Sequence, residues 1–104
     1  MMTDATRGVR MPDSLDTLDR LIDGFLAGSI TFQTLESRFA PCYLFMPEEA
    51  FADVETEVWY GVIHERIEWT SAAPSPEERA FGWISIDDFR AWLRTAIRTK
   101  PGAA

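Results

Sequence analysis

The chain is poor in the residues that usually do chemistry. It holds one cysteine, Cys42, and one histidine, His64, in 104 residues. A single cysteine excludes an internal disulfide and fits a reducing compartment. A single histidine leaves a metal site short of ligands. His64-Glu65-x-x-Glu68 has the outline of a metalloprotease helix without its second histidine, and Gly61 stands where a di-iron Glu-x-x-His pattern wants a carboxylate. Cys42 lies in an apolar run beside Tyr43 and Leu44, where a thiol behaves as a small hydrophobe. There is no Gly-rich phosphate loop and no nucleophile paired with a base. Lys and Arg number 10 against 17 Asp and Glu, which disfavours nucleic acid as a ligand. No N-terminal apolar h-region and no long apolar run appears, so neither secretion nor a membrane span is read. The expectation is a cytoplasmic protein that is not an enzyme, with no metal and no cofactor.

What remains is enough for one core. Hydrophobic residues make up 46% of the chain, with four Trp and seven Phe. A chain of this length forms one domain. It is placed at residues 13–100, after a flexible segment 1–12, where Met11 is a candidate internal start, and before a tail at 101–104.

Four helices are expected. The first runs from about Asp13 to Ala27, with Leu15, Leu18, Ile22 and Leu26 on one stripe and Leu21 and Phe25 widening it. Asp13 or Ser14 caps it, and Gly28 reads as the residue just past its end. Asp16, Asp19 and Asp23 form a second stripe. Thr31 caps the second helix, whose Phe32, Leu35 and Phe39 face inward. Pro41 is expected to end or kink it, with Cys42–Met46 a buried helical extension or connector. The third helix begins at Pro47 and runs to Trp69. Its Phe51, Val54, Val58, Val62 and Trp69 share an arc read as buried. Its opposite arc carries Glu49, Asp53, Glu57, Tyr60, His64 and Glu68. Glu55 and Glu65 fall near the apolar arc, which implies a rim position or a break near Gly61. Residues 70–82 read as a loop. Ser85-Ile86-Asp87-Asp88 resembles a capping box that starts the fourth helix. Its buried stripe is Ile86, Phe89, Leu93 and Ile97, and its arginines are Arg90, Arg94 and Arg98. These arginines and the aspartates of the first helix are read as facing stripes. Gly28-x-Ile30-Thr31-x-x-x-Leu35 matches Gly82-x-Ile84-Ser85-x-x-x-Phe89. This is read as shared helix-start grammar, with a duplicated helical hairpin as the alternative. The fold class is all-α, an antiparallel four-helix bundle.

Charge is concentrated in one place. Glu48, Glu49, Asp53, Glu55, Glu57, Glu65 and Glu68 lie between Pro47 and Trp69, opposed only by Arg66, and account for six of the seven net negative charges. A solvated face is the bland reading of such a stretch. Near-uniform sign weakens a helix by i, i+4 repulsion, and Tyr60 and His64 give the texture of a protein-binding surface. The Trp59, Tyr60 and Tyr43 rings are candidates for its desolvated centre.

Phe25-Leu26-Ala27-Gly28-Ser29-Ile30-Thr31, Phe39, Phe51-Ala52-Asp53-Val54-Glu55 and Gly82-Trp83-Ile84-Ser85-Ile86-Asp87-Asp88-Phe89-Arg90 follow one order over residues 20–98. That order resembles the colicin D immunity proteins. The resemblance implies a four-helix bundle that binds the catalytic domain of a cognate ribonuclease toxin, with acidic side chains in the basic site where tRNA would lie. Asp53 and Glu55 match the family's acidic positions. Between the third and fourth helices the pattern departs: Ser71–Pro76 stands where an acidic connector is expected, leaving Glu77 and Glu78. The expected function is inhibition of a basic nuclease toxin by a protein that is a monomer when free. Glu49, Asp53, Glu55, Glu57, Tyr60, His64 and Glu68 are its expected contacts. The alternatives are a helical adaptor or homodimeric regulator, and an acidic nucleic-acid mimic.

Overall fold

The structure is a computed structural model that describes residues 14–101. The segment 1–12, Asp13 as an alternative cap and residues 102–104 of the tail lie outside the described residues. The fold is mostly helical, at 72%, with five helices and a two-stranded sheet. The helices are α1 (Leu15–Leu26), α2 (Phe32–Leu44), α3 (Val54–Glu68), α4 (Pro76–Ala80) and α5 (Ile86–Ala96). A 3₁₀ turn at Glu48–Phe51 precedes α3, and another at Ile97–Thr99 follows α5.

The ends of α1 and α2 follow from local chemistry. The Ser14 hydroxyl accepts from the Thr17 N–H and caps α1. At its other end Ser29 N donates to Gly24 O at 2.8 Å and Gly28 N to Phe25 O at 3.1 Å. This is a Schellman stop, and Gly28 supplies the positive φ, +82°, that it needs. Thr31 then caps α2. Pro41 neither ends nor breaks α2, which continues to Leu44. Pro41 and Ser37 are exposed, so the Ser37 carbonyl that loses its donor faces solvent. The run after Pro41 extends the helix to Leu44, as one of the two readings expected, but it is only partly buried. Cys42 and Met46 are buried, but Leu44 and Phe45 are 62% and 79% exposed.

The region read as a loop carries structure. Ser75 and Glu78 form a capping box for α4, and Pro76 opens the helix. Trp83 N to Glu78 O and Gly82 N to Arg79 O, both 3.0 Å, end α4 with the same stop as α1. The chain then returns as β2 (Ile84–Ser85), parallel to β1 (Thr70–Ser71), pairing Thr70 with Ile84 and Ser71 with Ser85. This pairing was not expected, since two-residue strands leave no periodicity. Ser85 and Asp88 form the expected capping box of α5.

α1 packs on α2 and α5, and α3 packs on the same two helices. Leu18, Ile22 and Phe25 of α1 meet Phe32, Leu35 and Phe39 of α2, Tyr60, Ile63 and Ile67 of α3, and Phe89 and Leu93 of α5. Phe25, Phe32 and Phe89 form a ring trio with centroids 5.6–6.1 Å apart. Ile97, expected in the buried stripe, is 37% exposed. The aspartates of α1 and the arginines of α5 do not pair among the described residues. Asp16 bonds Arg20 in its own helix, Asp19 bonds Lys100, and Arg90 donates to Phe25 O at 2.7 Å.

The main correction concerns α3. It does not begin at Pro47, and it is rotated relative to the expected arc. Val54, Val58 and Val62 are 72%, 57% and 40% exposed, whereas Thr56, Tyr60, Ile63 and Ile67 are buried. Two apolar stripes compete on this helix. The one with Tyr60 and two isoleucines removes more apolar area from water. Glu55 and Glu65 therefore lie on the solvent side, and the helix runs unbroken through Gly61.

Candidate functional site

The site is built where the 3₁₀ turn meets α3. Phe51 is buried and ties the turn to the core. Asp53 N donates to Phe51 O at 2.8 Å, closing a three-residue γ-turn about Ala52. Ala52 has φ +72° and ψ −51°. This form of γ-turn is rare and strained for a residue with a Cβ, at a cost of about 1–3 kcal/mol. Asp53 is extended, and its Oδ1 accepts from Thr56 N at 2.8 Å, capping α3. Hydrogen bonding from the Thr56 side chain, then from its backbone, holds the Asp53 carboxyl below the usual range.

This geometry gathers Glu48, Glu49, Ala52, Asp53, Val54 and Glu57 around a cleft of about 260 Å³. Four of the six lining residues are carboxylates and none is basic. Among the described residues Glu48, Glu49 and Glu57 make no ion pair. The Tyr43 phenol is raised above its ordinary value, first by burial and then by the Glu57 charge. Like charges held together repel, and a cation brought into the cleft would relieve that repulsion. Among the described residues no group of three or more His, Cys, Asp or Glu is placed to hold a metal ion. No described helix is long and apolar enough to cross a membrane.

The structure brings together three of the residues expected at a partner surface: Glu49, Asp53 and Glu57. Glu48, which also lines the cleft, was overlooked as a contact. Its adjacency to Glu49 just after Pro47 was the available signal. Glu55 is exposed but lines a separate groove beside Trp59. Glu68 is exposed at the end of α3, one turn beyond His64. Tyr60 is not a contact. It is 0% exposed and donates to Asp19 Oδ1 at 2.5 Å. His64 is not a surface histidine. Its side chain is 13% exposed and stacks on Tyr43 with ring centroids 5.3 Å apart. Glu68 Oε2 is 3.8 Å from His64 Nε2, too far to bond, and Nε2 has no hydrogen-bond partner among the described residues. Both corrections follow from the rotation of α3, which turns Tyr60 into the core and His64 against α2.

No family model matches the chain, and no curated protein or solved structure matches it.

Proposed function

We propose that the protein is a stoichiometric inhibitor: an immunity-type protein that binds the basic active site of a tRNase-type nuclease toxin in the cytoplasm. In this reading it uses no cofactor, catalyses nothing and is a monomer when free. Its four longer helices are read as an antiparallel bundle whose task is to hold one surface rigid. The observation that carries the proposal is the cleft lined by Glu48, Glu49, Asp53 and Glu57 with no cation in its lining. A nuclease must hold Lys and Arg where phosphates pass. Carboxylates satisfy those cations and offer no scissile bond. Complementary charge also speeds encounter, which suits an inhibitor that must act before its toxin. The strained turn at Ala52 is the kind of conformation that persists where a binding surface needs it.

The test is a search of the neighbouring genes for a toxin with a basic nuclease domain, followed by protection of cells against that toxin. Wild type should protect, and Glu49→Lys with Glu57→Lys should not, because each swap sets like charges together across the interface. Full protection by that double variant, or none by wild type, overturns the proposal. Asp53 is left unchanged because it caps α3, and replacing it would confuse folding with binding. Phe45 and Phe81, 79% and 80% exposed, favour a homodimeric regulator as the second reading. A dimer mass in solution would select it.

A further inference from the structure

Ala52 is held at its positive φ from two sides, and the two holds are unequal. On one side Phe51 is buried, with its ring centroid 5.7 Å from Tyr43 and 6.2 Å from Tyr60. On the other side the hold is the start of α3. Thr56 N donates to Asp53 Oδ1 at 2.8 Å, and Glu57 N to Asp53 O at 3.2 Å. Val54 and Glu55 are exposed, so the residues between cap and core bury no apolar surface there. A helix cap and a strained positive φ are of comparable free energy, whereas a buried phenylalanine is worth several times either. The cap is therefore the hold that yields. The sequence supplies a second start three residues on. Thr56 is a favoured N-cap residue, and in the structure its hydroxyl and N–H both serve the Asp53 carboxylate. With the helix starting at Thr56, that hydroxyl accepts from Trp59 N–H, as Asp53 now accepts from Thr56. Residues 53–55 are then released, and Ala52 returns to negative φ. The core is untouched, because Tyr60, Ile63 and Ile67 lie beyond the second start.

We propose that α3 has two alternative starts, Asp53 and Thr56, and that the Ala52 turn switches between them. The acidic cleft exists only with the first. That start sets Asp53, Val54 and Glu57 around one cleft with Glu48 and Glu49. The second start lets Asp53 and Val54 swing away while Phe51 keeps the 3₁₀ turn in place. Repulsion among the carboxylates acts in the same direction as the strain at Ala52. The structure is the cleft-forming member of the pair, and any contact that draws the carboxylates together selects it. The switch is a property of the chain by itself and stands without the inhibitor reading. Its use in regulating the partner surface rests on that reading.

The test is amide hydrogen exchange of the full chain, read by NMR at several low urea concentrations. Thr56, Glu57 and Val58 should exchange through a local opening that urea leaves unchanged, while Ile63 and Ile67 follow global unfolding. Trp59 N–H should exchange more slowly than Val58 N–H, because Thr56 caps it in the opened form. Ala52→Gly relieves the strain and should slow Thr56 and Glu57 about fivefold. Ala52→Val sets a β-branched residue at positive φ and should speed them about fivefold. It should also move the Cα shifts of Val54 and Glu55 from helical toward extended values. Equal exchange at Thr56 and Glu57 in the three chains overturns the proposal. So does an opening there as urea-sensitive as that of Ile63, or one that frees Trp59 together with Val58. The toxin assay separates the two readings. The opening seen in a chain that protects against nothing sinks the inhibitor reading alone. Protection by a chain without the opening sinks the switch alone.

Discussion

The Tyr60 hydroxyl donates to Asp19 Oδ1 at 2.5 Å, across 41 residues of sequence, while Lys100 Nζ holds the other oxygen of the same carboxylate at 2.7 Å. One aspartate thus ties α1 to α3 and to the segment after α5. Burial first, then the bond to Asp19 and the charges of Asp19 and Asp23, raise the Tyr60 phenol far above its ordinary value.

The alkaline limb of stability should reflect this bond. Below about pH 10 the proton sits on Tyr60 in both folded and unfolded chains, and the bond contributes fully. Above that, the unfolded tyrosine ionises first, and stability falls as pH rises toward the folded value. Tyr60→Phe should cost about 2 kcal/mol at neutral pH, the scale of a hydrogen bond to a charged group. It should also flatten the fall in melting temperature above pH 10. An unchanged alkaline limb would show that Tyr60 does not carry it.

Ala52→Gly should stabilise the protein by about 1 kcal/mol. Glycine adopts positive φ without steric strain, and this relief outweighs the added freedom of the unfolded chain. Urea denaturation checks it: the midpoint should rise at constant slope. A lower midpoint would mean that the γ-turn is unstrained.

The rotation of α3 has a direct mutational signature. Ile63→Ala should cost about 2–5 kcal/mol through lost burial and a cavity. Val58→Ala, at an exposed position, should stay within about 0.5 kcal/mol of wild type. The reverse ranking in thermal melts would restore the arc that the valine spacing suggests.

Gly61 faces the Tyr43 hydroxyl. A Cβ built on Gly61 would stand 2.7 Å from that oxygen. Ordinarily Gly→Ala inside a helix gains about 1 kcal/mol. Here Gly61→Ala should gain nothing or destabilise, because Tyr43 is also stacked on His64 and cannot retreat without loss. Combined with Tyr43→Phe the alanine should recover its gain. Additive effects of the two changes in a double-mutant cycle would count against the contact.

Much of the scaffold was legible because its signals are local. Ser14, Thr31 and Ser85 cap where their hydroxyls predict, and Gly28 ends α1. Leu18, Ile22, Phe25, Leu35, Phe39, Phe89 and Leu93 are buried as their spacing predicts. α3 resisted because its apolar residues surround the helix, so periodicity alone does not choose a face. Side-chain size does, and Tyr60, Ile63 and Ile67 outweigh three valines. The γ-turn resisted for another reason. Alanine rarely adopts positive φ, and no Gly or Asn marks the position. The acidic residues of the cleft were legible as charge, but the turn that gathers them was not. The break placed before Asp53 separates Glu49 from a helix phase it was assumed to share.

The Lys100–Asp19 bond places the two ends of the described chain side by side, since Asp19 lies little more than one turn into α1. A circular permutant is therefore geometrically natural: residue 101 joined to residue 14 by a short glycine linker, with new termini opened at the exposed Ala72 and Ala73. In such a chain α4 and then β2 would follow the new start and β1 would close the polypeptide, the strand pairing would have to form between distant segments, and the Asp19 junction would become an interior seam.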